Sequence, residues 1–473
     1  MSDKPVALVW FRRDLRASDH APLLAALERG FVPVPVFVWA PDEEAPRAPG
    51  GASRRWLHAA LQDVSATLTA LGSRLIVRQG PTRETLATLI AETGAKAVYW
   101  HRVYEPAFMS RDAALKEAWR AAGLEAESFA GDCLIEPQSV KTKAGTPFKV
   151  FTPFWNHVLT LDLPAAKPAP TALPAPAVWP GSDPVASLGL CPSIPWDTGI
   201  AAAWDMTRAG GDKRLRGFLK TTLPHYADRR DLPWDDGTSR LSPYLHFGQL
   251  SPREVRDAAL KTGGPGAAKF LSEIGWREFG RHLLYHFPKT PAEPMDAGFA
   301  NFPWADNPAL AEAWRRGRTG VPIVDAGLRE LWSTGFMHNR VRMIAGSFLV
   351  KNLLTDWRAG AAWFWDTLVD ADLAQNTLGW QWIGGCGADA APYFRVFNPV
   401  LQGGKFDADG DYVKRYVPEL AGLPAKWIHR PWEAPEEVLA RAGVSLGETY
   451  PEPVVGLALS RVRALDAYQR RRG

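Results

Sequence analysis

Between Val6 and Phe129 short apolar, β-rich runs alternate with longer amphipathic stretches, and that alternation leaves few folds open. Val6–Phe11, Phe31–Trp39, Leu75–Arg78, Ala97–Trp100 and Ala126–Phe129 read as strands. Helices are expected between them at SDHAPLLAALERG (Ser18–Gly30, with Ser18 as its cap), Arg54–Leu71, Thr82–Thr93 and Ser110–Ala122. Strand and helix in repetition imply a parallel five-stranded, Rossmann-like α/β sheet with helices on both faces. No G-x-G-x-x-G follows the first strand. In its place stands FRRDLR (Phe11–Arg16), a basic loop closing a strand.

After about residue 131 the alternation stops. Residues 161–200 are rich in Pro and Ala and read as an extended linker. Beyond residue 200 the pattern is helical to the end. The expected organisation is an α/β domain over 1–131, an interdomain linker over 132–200 and an all-α domain over 201–473.

The helical part carries the chemistry. In the stretch Gly317–Trp382, Val341, Ile344, Ala345, Phe348, Leu349 and Leu353 follow the i, i+3, i+4, i+7 rule and form a core stripe. Asn339, Arg342 and Met343 share another face, and an amide, a guanidinium and a thioether together suit a polar, planar ligand. Asp370 and Asp372 flank Ala371, and Asn376 and Trp380 lie four residues apart. Earlier, Thr238–Ser242 (TSRLS) offers hydroxyls, an Arg fork and backbone N–H groups that suit a pyrophosphate, and Ser242 before Pro243 also reads as a helix cap. In Phe270–Pro288, residues Phe270, Glu273, Trp276 and Arg277 fall on adjoining faces. A carboxylate flanked by Phe, Ile and Trp carries a desolvation cost.

Composition narrows the setting. No apolar run approaches the eighteen or so residues of a membrane span. The start is no secretory signal. Three scattered cysteines among 473 residues give neither metal spacing nor a disulfide framework, so a cytoplasmic, reducing home is expected and no metal. A net charge of +4 is too small to diagnose nucleic-acid binding by itself.

GRTGVPIVDA (Gly317–Ala326), MHNRVRMI (Met337–Ile344) and DADLAQNTLGWQW (Asp370–Trp382) resemble the flavin-binding signatures of the photolyase/cryptochrome family, and the resemblance extends from Val6 to about Leu465. It implies a light-driven lyase in which reduced FAD donates an electron to a flipped-out pyrimidine dimer. Tyr226, Thr238, Ser239, Arg240, Leu241 and Ser242 would hold the FAD phosphates and ribityl chain, with Phe270 and Arg277 against the cofactor. Arg342 and Asp370 would pair beside the isoalloxazine, with Asn339 and Ala371 in the same shell. Asp372 would sit near the ribose or adenine, and Asn376 would face N5. An amide cannot shuttle a proton there, which favours repair over signalling.

On the substrate side the resemblance implies that Glu273 donates a hydrogen bond to the thymine carbonyls, as a neutral acid. Trp276 and Trp382 would wall the dimer, and Asn339 and Met343 would complete the pocket. Arg230, Arg340, Arg395 and Gln402 would contact DNA, single- or double-stranded. Trp380, Trp357 and Trp304 match the family's electron-carrying tryptophans, with Trp363 and Trp365 as a branch. Leu423–Gly456 and Thr377–Gly379 resemble plant cryptochromes, whereas Ala388–Pro399 is photolyase-like. That mixture is similar to the class III cyclobutane dimer photolyases, whose antenna is usually methenyltetrahydrofolate. Glu105–Asp112 lacks the Asn-Glu pair of other folate binders, so a deazaflavin or an empty antenna site stays open. The implied protein is a monomer of the bacterial cytoplasm, associated with the nucleoid. The alternatives are a cryptochrome-like photoreceptor and a (6-4) photolyase; the latter carries histidines where this chain has Asn339 and Met343.

Overall fold

The five apolar runs form one parallel sheet in a computed structural model of the chain, which describes residues 4–44, 46–390 and 394–471. β1 (Val6–Phe11), β2 (Val32–Trp39), β3 (Ile76–Gln79), β4 (Ala97–His101) and β5 (Glu125–Phe129) lie in the order β3-β2-β1-β4-β5. Val6 stands beside Val32 and Ala7 beside Ala97. Numbering only helices of eight residues or more, α1 (Ala21–Glu28), α2 (Gly51–Ala70), α3 (Thr82–Thr93) and α4 (Pro106–Ala121) join the strands. Leu8, Trp10, Val36 and Trp100 of the sheet share one core with Leu86 and Leu89 of α3 and Leu115 and Trp119 of α4. The strands read as unbroken apolar runs because both faces are covered. The cap of α1 is His20 rather than Ser18: His20 Nδ1 accepts from Leu23 N at 3.2 Å. Ser18 instead donates to Glu254 at 2.7 Å.

The chain divides into two units, neither of them a continuous stretch. The first runs to Thr198 and adds Trp204–Pro224 and Arg240–Pro288; the second comprises Gly199–Ala203, His225–Ser239 and the chain from Lys289 onward. The division expected at residue 200 is therefore crossed. α6 (Arg208–Gly217), α7 (Pro252–Thr262) and α8 (Pro265–His286) belong with the sheet. Part of the reason is Trp56 of α2, whose indole donates to Gln249 at 2.8 Å and packs on Tyr244 and Phe247 at 5.0 and 6.2 Å. A tryptophan this deep needs cover that residues 1–200 do not supply.

Nor is 132–200 a free tether. It contains α5 (Phe151–Val158), and its Pro/Ala-rich part is strapped to the first unit. Ala166 N donates to Asp257 at 2.8 Å and Leu173 N to Leu71 O at 2.7 Å. Ser182 and Asp183 close the outer edge of β3: Val77 N donates to Ser182 Oγ at 2.9 Å, and Asp183 N to Val77 O at 2.8 Å. A covered edge cannot recruit a foreign strand.

The second unit is helical apart from a bridge between Leu446 and Tyr450. Its longer helices are α9 (Pro308–Arg315), α10 (Pro322–Thr334), α11 (Asn339–Ser347), α12 (Trp357–Thr367), α13 (Leu373–Gly384), α14 (Pro399–Phe406) and α15 (Leu457–Arg470). α11 continues into a π-helical turn, Phe348–Asn352. The expected stripe from Val341 to Leu353 is fully buried. The GRTGVPIVDA spacing has a local cause. Asp325 on α10 accepts from Thr319 N and Oγ1, both at 2.7 Å, from Gly320 N at 3.0 Å and from Tyr450 OH at 2.6 Å. Gly320 sits at φ +74°, where a Cβ would strike the Glu452 carbonyl, so no other residue fits. Among the described residues no helix is long and apolar enough to cross a membrane.

Candidate functional site

In the second unit, α11 and the turn into α13 hold the polar residues expected around a planar ligand. Arg342 pairs with both carboxylate oxygens of Asp370, at 3.0 and 2.9 Å, while its Nε donates to Met337 O at 2.7 Å. A guanidinium held at three points has one orientation. Asp372 caps α13, accepting from Gln375 N at 3.1 Å, and Ala371 is buried between the two acids. One turn on, Asn376 Nδ2 donates to Ala361 O at 2.9 Å. That bond fixes the amide, with its nitrogen toward α12 and its oxygen left as the acceptor for what it faces.

Trp380 follows, 1% exposed, its ring 4.9 Å from Phe364 and 6.2 Å from Trp314. It fits because residue 360 is glycine; a Cβ there would run into the indole. Its Nε1 has no hydrogen-bond partner among the described residues. Trp357 opens α12 and is equally buried, whereas Trp304 is half-buried, 4.3 Å from Phe302. Ala305 N donates to Leu354 O at 2.8 Å, which brings that segment alongside the turn ahead of Trp357. Trp363 stacks on the exposed Trp332 at 6.1 Å and 5°, while Trp365 is buried.

Met343, Trp382 and Arg395 meet around a cavity of about 30 Å³, together with Ser347, Lys351 and Tyr468. It has room for about one water, not for a dinucleotide. Lys351 is absent from the residues singled out by the sequence. Its Nζ donates to the carbonyl of Gly384, the last residue of α13, at 2.8 Å and lies 3.1 Å over the Phe394 ring. Burial pushes its amine well below the usual lysine range. An amine donating to the last carbonyl of a helix satisfies one of its unpaired C=O groups, and the signal was a single lysine inside the run FLVKNLL. Around this group, Asn339 is exposed. Arg340 pairs with Asp231 at 2.9 Å and lies over Phe406. Arg230 lies 3.9 Å from the same Asp231 and 5.6 Å over the buried Tyr226. Gln402 is half-buried on α14.

The chain leaves the second unit after Thr238 and Ser239 and enters the first at Arg240. Arg240 sits at φ +49°, a left-handed conformation that side-chain-bearing residues seldom take. Leu241, not Ser242, holds the cap position of the short helix Ser242–His246, where no side chain bonds the helix start. Phe270 on α8 is buried against Phe218 at 4.6 Å. Arg277 binds Asp132 through its backbone and side-chain oxygens at 2.8 and 3.1 Å, Glu278 at 3.1 Å and Leu245 O at 3.3 Å. It thereby ties α8 to the turn after β5.

The apolar enclosure expected of Glu273 is not found. Its flanking Phe270 and Ile274 turn into the core, and Glu273 lies on a half-exposed face, 3.3 Å from Lys269 one turn earlier. Trp276, half-exposed, stacks on Phe151 of α5 at 3.9 Å and 9°.

At the carboxyl ends of β1 and β4, where a doubly wound sheet opens a crevice, FRRDLR fills the space with its own charges. Arg12 pairs with Asp112 at 2.6 Å, Arg13 with Glu105 and Glu44, and Arg16 with the carbonyls of Gly248 and Asp19. Asp14 Oδ2 lies 2.7 Å from His101 Nδ1 and 3.0 Å from His20 Nε2. Burial pushes His101 down to about 3. Asp14, although its burial works the other way, is held well below the usual carboxylate range by His20 and the His101 hydrogen bond.

Residues 270–470 match the family model described as the FAD binding domain of DNA photolyase, and residues 7–176 match that of DNA photolyase. A deoxyribodipyrimidine photo-lyase of Agrobacterium fabrum is 47% identical over 98% of this chain and 97% of its own length. Cryptochrome-2 of Arabidopsis thaliana is 40% identical over 98% of this chain and 79% of its own. The crystal structure of a class III photolyase from Agrobacterium tumefaciens superposes on 100% of this chain and 98% of that one, with a TM-score of 0.96 at 46% identity.

Proposed function

This chain belongs to the photolyase/cryptochrome family, and from that membership we propose that it binds FAD and uses blue light to split cyclobutane pyrimidine dimers in DNA. The residues present fit a flavin dinucleotide. Within the second unit, Arg342 and Asp370 give a fixed dipole, Thr238 and Ser239 give hydroxyls, and Asn376 gives a neutral amide with an acceptor oxygen. When bound, FAD supplies the electron that light makes available to the lesion.

The chain's own residues do the rest. Asn376 neither takes nor releases a proton at ordinary pH, so no proton carrier stands at that place. Trp276 offers a rigid ring for a base, and stacking of this kind is worth roughly 1–3 kcal/mol per base. Glu273, in its protonated form and released from Lys269, offers a hydrogen bond to a lesion carbonyl as negative charge develops there. The tryptophans Trp380, Trp357 and Trp304, graded from buried to half-exposed, return electrons from the surface. Arg230, Arg340, Arg395 and Gln402 are the DNA contacts of this reading, with a folate antenna and a monomer in the bacterial cytoplasm as its remaining parts.

Lesion choice rests on one observation. Asn339 and Met343, an amide and a thioether, stand one turn apart on α11, and neither side chain can protonate a (6-4) product. Reduced protein under blue light should restore cyclobutane thymine dimers in single- and double-stranded oligonucleotides. Repair of (6-4) products alone, or of neither, would overturn the reading. The 40% identity to Cryptochrome-2 favours a photoreceptor as the second reading; full FAD loading with no repair would point there.

A further inference from the structure

Trp276 does not stand alone on the first unit. Its ring lies 3.9 Å from that of Phe151 at an interplanar angle of 9°, and Phe151 lies 6.5 Å from Trp155, again at 9°. Three near-parallel rings from α5 and α8 thus form one shelf. Residue 275 on α8 is glycine, and a Cβ there would collide with the Trp155 ring. Phe151 is buried, but Trp155 and Trp276 are each partly exposed to solvent. Core packing alone does not need exposed indoles aligned in parallel.

The loop leading into α5 carries charge of one sign. From Pro137 to Leu161 there is no Asp or Glu, while Lys141, Lys143 and Lys149 are all exposed. None of the three pairs with a carboxylate among the described residues, unlike the arginines of FRRDLR. The loop is held in shape by its own turn, Thr142 N donating to Thr146 O at 2.8 Å and Gly145 N to Thr142 O at 2.9 Å. Lys141 and Lys143 on this turn, with Lys149 lying 5.3 Å over the Phe287 ring just before α5, keep cations without a carboxylate partner on the unit that carries the rings. Such a set complements phosphates and unstacked bases together.

We propose that the shelf Trp276–Phe151–Trp155, with Lys141, Lys143 and Lys149, binds the unpaired nucleotides that flank the lesion. The inference rests on the reading that Trp276 stacks on a flipped base. Flipping takes two nucleotides out of the helix and leaves their neighbours partly unstacked. Those neighbours find a second indole and three cations on the unit that holds Trp276.

The probe is an undamaged thymidine 15-mer, whose binding to the full-length, FAD-loaded protein is followed in the dark by fluorescence anisotropy at several salt concentrations. The triple variant Lys141→Ser/Lys143→Ser/Lys149→Ser should bind it about tenfold more weakly at low salt. Its salt slope should be shallower by about 2, as expected for three lost phosphate contacts. Trp155→Ala should weaken binding about tenfold with the slope unchanged. Both variants should repair an isolated thymine-dimer dinucleotide at the wild-type rate but bind a lesion-bearing 15-mer less tightly. Unchanged affinity and slope in the lysine variant would overturn the proposal, as would equal losses on the dinucleotide, which would make the shelf merely structural. Competition by poly-glutamate as effective as the oligonucleotide would also overturn it, since acids offer nothing to stack. The dark measurement needs no lesion. If it succeeds while the wild type repairs nothing, the repair reading fails and the binding surface stands.

Discussion

Trp380 is enclosed by Phe364, Trp314 and the bare backbone at Gly360, so a phenyl ring in its place loses contacts but no hydrogen bond. Trp380→Phe should therefore leave the fold and FAD content intact, at a cost of about 1 kcal/mol. Light-driven reduction of the flavin should stop, because phenylalanine is far harder to oxidise than indole; chemically reduced variant should still repair. Photoreduction at the wild-type rate would send the electron through Trp314 or Trp363 instead. Glu273→Ala should lower lesion affinity about tenfold, the loss of one hydrogen bond of about 1.5 kcal/mol. Glu273→Gln, which keeps a donor, should fall between. Wild-type binding and yield in both would remove Glu273 from the site. At this scale the sequence was most informative where residues act through a helix. Asn376 and Trp380 do share one helix, and the Val341 stripe is core. It was silent where the partner is remote in the chain, as with Phe151 behind Trp276, and where a charge serves packing, as with Lys351 on the end of α13.

The elements show where local rules were overruled. Ser18 is the better cap by propensity, yet His20 takes the position because its other nitrogen meets Asp14 at the end of β1. That crevice also makes the first unit sensitive to acid. His101 is held neutral to about 3 against an ordinary 6.5, and burial likewise lowers His20, despite the opposing charge of Asp14. Below pH 6.5 the unfolded chain takes up protons that the folded chain refuses, so stability is full above 6.5 and falls as pH drops toward 3. Urea midpoints of the first unit's transition should decline steadily from pH 7 to 5. In His101→Asn, which can still donate to Asp14, the decline should be shallower; an identical slope would remove His101 from the effect. The strand bounds were legible to within a residue or two because buried parallel strands leave unbroken apolar runs. The cap was not, since it depends on a carboxylate from another element.

For the molecule as a whole, the chain's composition suggested a cut at residue 200, and the packing does not respect it. The Pro/Ala-rich segment looked like a tether because it lacks periodicity, yet its backbone groups are bonded to α7, to Leu71 capping α2, and to β3 in turn. A fragment ending at residue 200 leaves Trp56 without Tyr244, Phe247 and Gln249 and should lack a cooperative thermal transition. One ending at Pro288 should regain it, as read by circular dichroism; equal behaviour of the two would mean that the sheet is self-sufficient. The strap over β3 has a consequence in time. Asp183, which receives the Gln79 N–H, is made 104 residues after it. At roughly 5–20 residues per second, the nascent sheet waits on the order of 5–20 s on the ribosome with that side bare. During the wait that edge is guarded by the shortness of a four-residue strand and by the Arg78–Glu92 pair, and a chaperone that shields edges has its opportunity then.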